Sequence, residues 1–104
     1  MKGAFLLTTL SLASAVQGCA IYKFCHCVND DGKPNDAATS LTCTEGNLET
    51  KTEGDTSYQE CHLYKRHGFL NVKVTGNDNC KWRETCQQKG ATGADSSCRD
   101  KVAS

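Results

Sequence analysis

From residue 20 onward the chain runs in short stretches where apolar and polar positions alternate, separated by clusters of turn-forming residues. That rhythm predicts strands joined by tight connections, with helices as the exception. Residues 20–28 (A-I-Y-K-F-C-H-C-V) are rich in β-formers and read as a first strand. On a period of two, Tyr22, Phe24, His26 and Val28 share one face, while Ile21, Lys23, Cys25 and Cys27 share the other. Asn29 to Pro34 is dense in turn formers and ends the strand. Asn35 or Asp36 can then cap a short helix, with Ala37, Ala38, Leu41 and Cys43 in its body and Gly46 closing it.

Leu48 to Thr52 alternates again and predicts a brief strand, followed by a turn over 53–56. Residues 58–64 and 69–75 carry the clearest hairpin pattern, with Leu70, Val72 and Val74 alternating with Asn71, Lys73 and Thr75 as on a half-buried strand. Lys65-Arg66-His67-Gly68 is the expected loop of that hairpin. Asp78 or Asn79 can cap a last helix over 80–89, closed by Gly90. The segment from Ala91 to Ser104 is small and polar, and is expected to be a loose tail tethered only through Cys98. The predicted fold is α+β: a small disulfide-rich domain, with an antiparallel sheet of three to four short strands and two short helices.

Ahead of this domain, Lys2 and the apolar run from Ala4 to Ala13 have the layout of an export signal. Small residues at Ala13, Ala15, Val16 and Gly18 place cleavage between residues 15 and 19, which assigns 1–18 to the signal peptide and 19–104 to one mature domain. The run is shorter than the roughly 20 residues a bilayer span needs. Val16-Gln17-Gly18-Cys19 also resembles a lipobox, but lipidation of Cys19 would leave an odd number of cysteines in an oxidised protein.

The cysteines are Cys19, Cys25, Cys27, Cys43, Cys61, Cys80, Cys86 and Cys98. An even count behind an export signal reads as four disulfides, with about a hundred possible pairings. Two local pairings are excluded by geometry. Cys25 and Cys27 point the same way along a strand and should reach different elements. Cys80 and Cys86 sit about 9 Å apart on a helix, beyond the roughly 7 Å reach of a disulfide. Cys43 and a C-terminal cysteine are the expected partners of the strand pair. Large apolar residues are few, so the bridges, at about 2–4 kcal/mol each, are expected to supply much of the stability. Cys25-His26-Cys27 and Cys61-His62 juxtapose zinc-ligand types, yet the C-x-C spacing lacks a second knuckle and export would oxidise the thiolates. No metal or other cofactor is expected.

Charge narrows the function classes. From Cys19 onward there are eleven basic and twelve acidic residues, a formal charge of −1. That balance speaks against nonspecific nucleic-acid binding and against an electrostatically driven membrane binder.

The opening C-x₅-C-x-C (Cys19, Cys25, Cys27), the segment Asp31 to Thr39 leading to Cys43, and the ending Gly93 to Arg99 carry a resemblance to known proteins. On these residues the chain resembles the small cysteine-rich secreted fungal proteins of the candidate-effector type. The resemblance implies extracellular action, virulence or host interaction, and no shared catalytic motif.

Candidate chemistry is sparse. Glu60, His62 and Tyr64 would share a strand face, which is suggestive of acid–base cleavage of RNA, although alternating polar residues are commonly just a solvent face. His26 reads as a strand residue at the sheet rim. Trp82 could stack on a sugar, but opposite a helical cysteine it reads as core. Lys65, Arg66 and His67 form the best candidate binding surface, as a basic loop on a stapled scaffold. The expectation is a secreted, monomeric, non-catalytic protein binding a host or extracellular protein or glycan. An antimicrobial or defence-type protein is the first alternative and a small ribonuclease the second.

Overall fold

The computed structural model describes residues 18–103. The export segment expected over residues 1–18 lies outside them, Gly18 excepted. The described chain is a disulfide-rich α+β domain with two helices and six strands. The elements run β1 (Ile21–Cys27), α1 (Asp36–Thr42), β2 (Asn47–Glu53), β3 (Thr56–His62), β4 (Tyr64–His67), β5 (Lys73–Asp78), α2 (Asn79–Gln88) and β6 (Ser96–Ala103). No helix among these residues is long and apolar enough to cross a membrane.

β1 is the hub of an antiparallel sheet. β6 pairs along its whole length, from Ile21↔Ala103 to Cys27↔Ser96. The other edge is shared: β3 pairs at Phe24 and Cys25, and β5 takes over at Ile21 and Tyr22. β2 continues the sheet beyond β3, and β4 continues it beyond β5. The sheet therefore forks where Leu63, whose N–H donates to the Lys23 carbonyl at 2.9 Å, separates β3 from β4. Asn77 holds the fork from inside. It is buried, and its amide donates to the carbonyls of Lys23 (3.1 Å) and Cys61 (3.0 Å) while accepting from the Trp82 indole at 3.1 Å.

Both helices start where the caps predict. The Asn35 side chain accepts from the Ala38 N–H, and Asp78 accepts from Cys80 and Lys81, satisfying amides that lack a helical partner. Thr39, fully buried, hooks α1 onto the sheet by accepting the Cys27 N–H at 2.9 Å. α1 stops at Thr42, short of Gly46, because the next residues turn into β2. The core between helices and sheet is Cys25, Cys27, Ala38, Cys61, Trp82, Cys86 and Ala91. It is sulfur and small side chains around one indole.

Four disulfides close this core: Cys19–Cys80, Cys25–Cys98, Cys27–Cys86 and Cys43–Cys61. Three of them join residues 59 to 73 positions apart, the separations at which restriction of the unfolded chain is largest. Cys25 and Cys27 reach different elements, β6 and α2, and neither of the excluded local bridges forms. All eight sulfurs are consumed, so neither Cys–His cluster can offer thiolates to a metal.

Four expectations are corrected. The segment read as a loose tail is β6, the longest strand, because Cys98 lies opposite Cys25 and draws the chain along β1. Cys43 consequently does not reach the first strand and bridges Cys61 on β3, the register neighbour of Cys25. The sheet has six strands where three to four were expected. The expected hairpin of 58–64 with 69–75 is replaced by two hairpins. β3 folds back on β2 through the turn at Gly54 and Asp55, and β4 pairs with β5 from Tyr64↔Gly76 to His67↔Lys73.

Candidate functional site

Two surfaces gather chemistry-bearing side chains. The first is the sheet face turned away from the helices. Register and alternation place His26, Phe24, Tyr58, Glu60, His62 and Arg99 together there. The Phe24 ring is covered on two sides: His62 stacks on it with centroids 4.5 Å apart, and the Arg99 guanidinium lies 4.0 Å from its centroid. Arg99 donates through Nε (3.0 Å) and Nη2 (2.8 Å) to both carboxylate oxygens of Glu60, which is buried. That ion pair raises the Arg99 pKa further.

His62 is tied to Glu49, with Nδ1 2.9 Å from Oε2. His26 is buried against Tyr58, ring centroids 4.5 Å apart, and its Nδ1 has no hydrogen-bond partner among the described residues. Burial lowers the His26 pKa below its ordinary value, against the opposing pull of Glu60, Asp36 and Glu53. Burial first, and then the hydrogen bond its hydroxyl donates to Glu53, push Tyr58 up to about 12. A shallow recess of about 440 Å³ runs beside these groups, lined by His26, Val28, Pro34, Tyr58 and Ser97 among others.

The second surface is the β4–β5 hairpin. Lys65, Arg66 and His67 were expected in its loop and instead lie in strand β4, exposed at the edge of the sheet. They remain together on one protruding element. Lys65 and His67 share a face with Lys73 and Thr75, and His67 Nε2 lies 3.2 Å from the Thr75 hydroxyl. The connection is Gly68 to Val72, and its apex is apolar: Phe69 is 92% and Leu70 88% exposed. Gly68 sits at φ +92°, and a side chain there would meet the Asn71 carbonyl, so the tip has a defined shape.

The Glu60, His62 and Tyr64 group is only partly assembled. Glu60 and His62 share the open face, but the fork at Leu63 carries Tyr64 away to lie under the Lys23 ammonium, 4.7 Å from its ring centroid. Trp82 is core. Sequence reasoning missed Phe24 and Arg99 as site members, because the strand that delivers Arg99 was unrecognised. It also read Leu70 as half-buried. The alternation is real, but among the described residues no second layer lies over the hairpin to cover it. One usable signal was charge: no acidic residue occurs between Glu60 and Asp78, where Lys65, Arg66 and Lys73 fall.

The chain matches no family model, no curated protein and no solved structure.

Proposed function

We propose that this is a secreted, effector-like protein that acts outside the producing cell by binding, with the β4–β5 hairpin as its contact element. The observation that carries this reading is the contrast between the two surfaces. On the sheet face Glu60 is spent on Arg99, and Glu49 is taken up by the His62 ring. On the hairpin, Lys65 and Arg66 stand exposed without an acidic neighbour in the segment. Four disulfides suit an oxidising environment and hold the scaffold behind the hairpin rigid. Replacing Lys65, Arg66 and His67 together by alanine should abolish retention of partners from host extracellular fluid while leaving the fold intact. Unchanged retention would remove the hairpin from consideration.

A second reading rests on the sheet face. His26, with an unpartnered nitrogen, lies near Glu60 and Arg99, with His62 across Phe24. A base, an acid and a cation on one face are the components of phosphodiester cleavage. Incubating the purified protein with RNA tests it: cleavage that disappears in His26→Ala would favour catalysis, and intact RNA would retire it.

A further inference from the structure

We infer that the β4–β5 hairpin docks on anionic phospholipid surfaces, its Phe69–Leu70 apex entering the boundary between headgroups and acyl chains. The inference rests on the reading of this hairpin as the contact element and names what it contacts.

The first observation is where the apolar side chains went. This chain has few large hydrophobic residues, and its core is built mainly from cysteine and alanine. Yet Phe69 and Leu70 stand nearly fully in water at the apex, with Val72 also exposed beside them. Two large adjacent apolar residues at the tip of a protruding hairpin form a point, too narrow for the broad apolar core of a stable protein interface. A point of that kind fits a soft apolar medium.

Charge supplies the second observation. Between Glu60 and Asp78 the chain carries Lys65, Arg66 and Lys73 and no acidic residue. The rest of the mature chain holds eight basic against twelve acidic residues, so the protein is polarised although its net charge is close to zero. An anionic leaflet attracts the hairpin and repels the remainder, which orients the apex toward the bilayer. The near-neutral total, which spoke against electrostatic membrane binding, conceals this separation.

Geometry is the third. Lys73 begins β5 three residues after Leu70, and His67 opposite it ends β4. At about 3.3 Å per residue Lys73, Arg66 and Lys65 sit roughly 10–13 Å behind the apex, just to the water side of a headgroup layer about 5–8 Å deep, which their long side chains can reach. Tyr64, at the foot of the hairpin, lies under the Lys23 ammonium and ties that foot to β1. The base of the hairpin packs closely on β1, where a side chain at Gly76 would meet Ile21 Cγ2 at 2.5 Å and the Tyr22 carbonyl at 3.0 Å. A basic edge strand also resists pairing with a second copy of itself.

The test uses the oxidised full-length mature protein and co-sedimentation with vesicles of phosphatidylcholine alone or mixed with one third phosphatidylserine. Binding is expected only to the anionic vesicles, and to weaken with salt. Each of Lys65, Arg66 and Lys73 should contribute about 5-fold. Replacing Phe69 and Leu70 by serine should cost at least ~30-fold. A Phe69→Trp variant reports the apex directly: its emission should shift to the blue on anionic vesicles and be quenched by lipids brominated in the acyl chains. Absence of binding by the unmutated protein overturns the proposal, and so does binding that survives Phe69→Ser/Leu70→Ser. A pull-down on the same samples separates the two levels. Partner proteins retained through Lys65, Arg66 and His67 without vesicle binding would keep the hairpin as contact element and reject lipid as its target.

Discussion

The Glu60–Arg99 pair makes an asymmetric prediction about stability. Glu60 keeps 3% of its side chain exposed and Arg99 keeps 39%. Truncating Arg99 to methionine preserves packing on Phe24 but leaves a buried carboxylate with neither of its two guanidinium hydrogen bonds. Breaking a buried pair costs about 3–5 kcal/mol, and the open side of Arg99 lets water screen the loss, which brings the expectation to roughly 2–3 kcal/mol. Converting Glu60 to glutamine leaves the guanidinium free to turn toward solvent and toward Asp100, 3.2 Å away, and should cost only about 1 kcal/mol. The double variant should resemble Glu60→Gln rather than the sum. In a domain of this size 1 kcal/mol moves the melting temperature by roughly 4–8 °C. Arg99→Met should therefore melt roughly 10–20 °C lower, and adding Glu60→Gln should restore most of that. Thermal unfolding of the oxidised proteins followed by circular dichroism at neutral pH reads all three. Equal, additive losses would mean that the pair behaves as a surface ion pair and that burial of Glu60 is irrelevant to its energetics.

Full reduction should unfold the domain under conditions where the oxidised form keeps its near-ultraviolet signal, because the core is mostly sulfur; a reduced protein with native spectra would contradict this. Intact mass should rise by eight hydrogens on reduction, and peptide mapping should recover Cys19–Cys80, Cys25–Cys98, Cys27–Cys86 and Cys43–Cys61. Replacing Lys65, Arg66 and His67 by alanine should shift stability by no more than about 0.5 kcal/mol, since all three side chains are exposed. His26 gives a pH dependence with a definite sign. Its folded pKa lies below the ordinary 6.5, so the unfolded chain binds the proton more readily. The contribution is complete above 6.5 and is lost as pH falls through that value toward the lowered folded pKa. Chemical denaturation of His26→Phe should lack this step, and an unchanged pH profile would exclude His26 as its source.

Local chemistry was written in the sequence. The capping pairs Asn35/Asp36 and Asp78/Asn79 marked both helix starts, the β-rich run of residues 20–28 announced β1, and its alternation separated Cys25 and Cys27 from the open face. Those features depend on a residue and its near neighbours, which is all that propensity and periodicity can report. The same alternation put Glu60 and His62 on one face. What the tertiary structure decided is everything that needs two distant segments at once. Ser96–Ala103 has no strong strand signal of its own and becomes β6 because Cys25–Cys98 and the free edge of β1 recruit it. Arg99 reaches Glu60 only through that pairing. The fork at Leu63 moves Lys65, Arg66 and His67 from a loop into a strand and leaves Phe69 and Leu70 at the apex. A period-two pattern states which residues share a face; whether another layer covers that face is a property of the whole fold, and among the described residues none covers this hairpin.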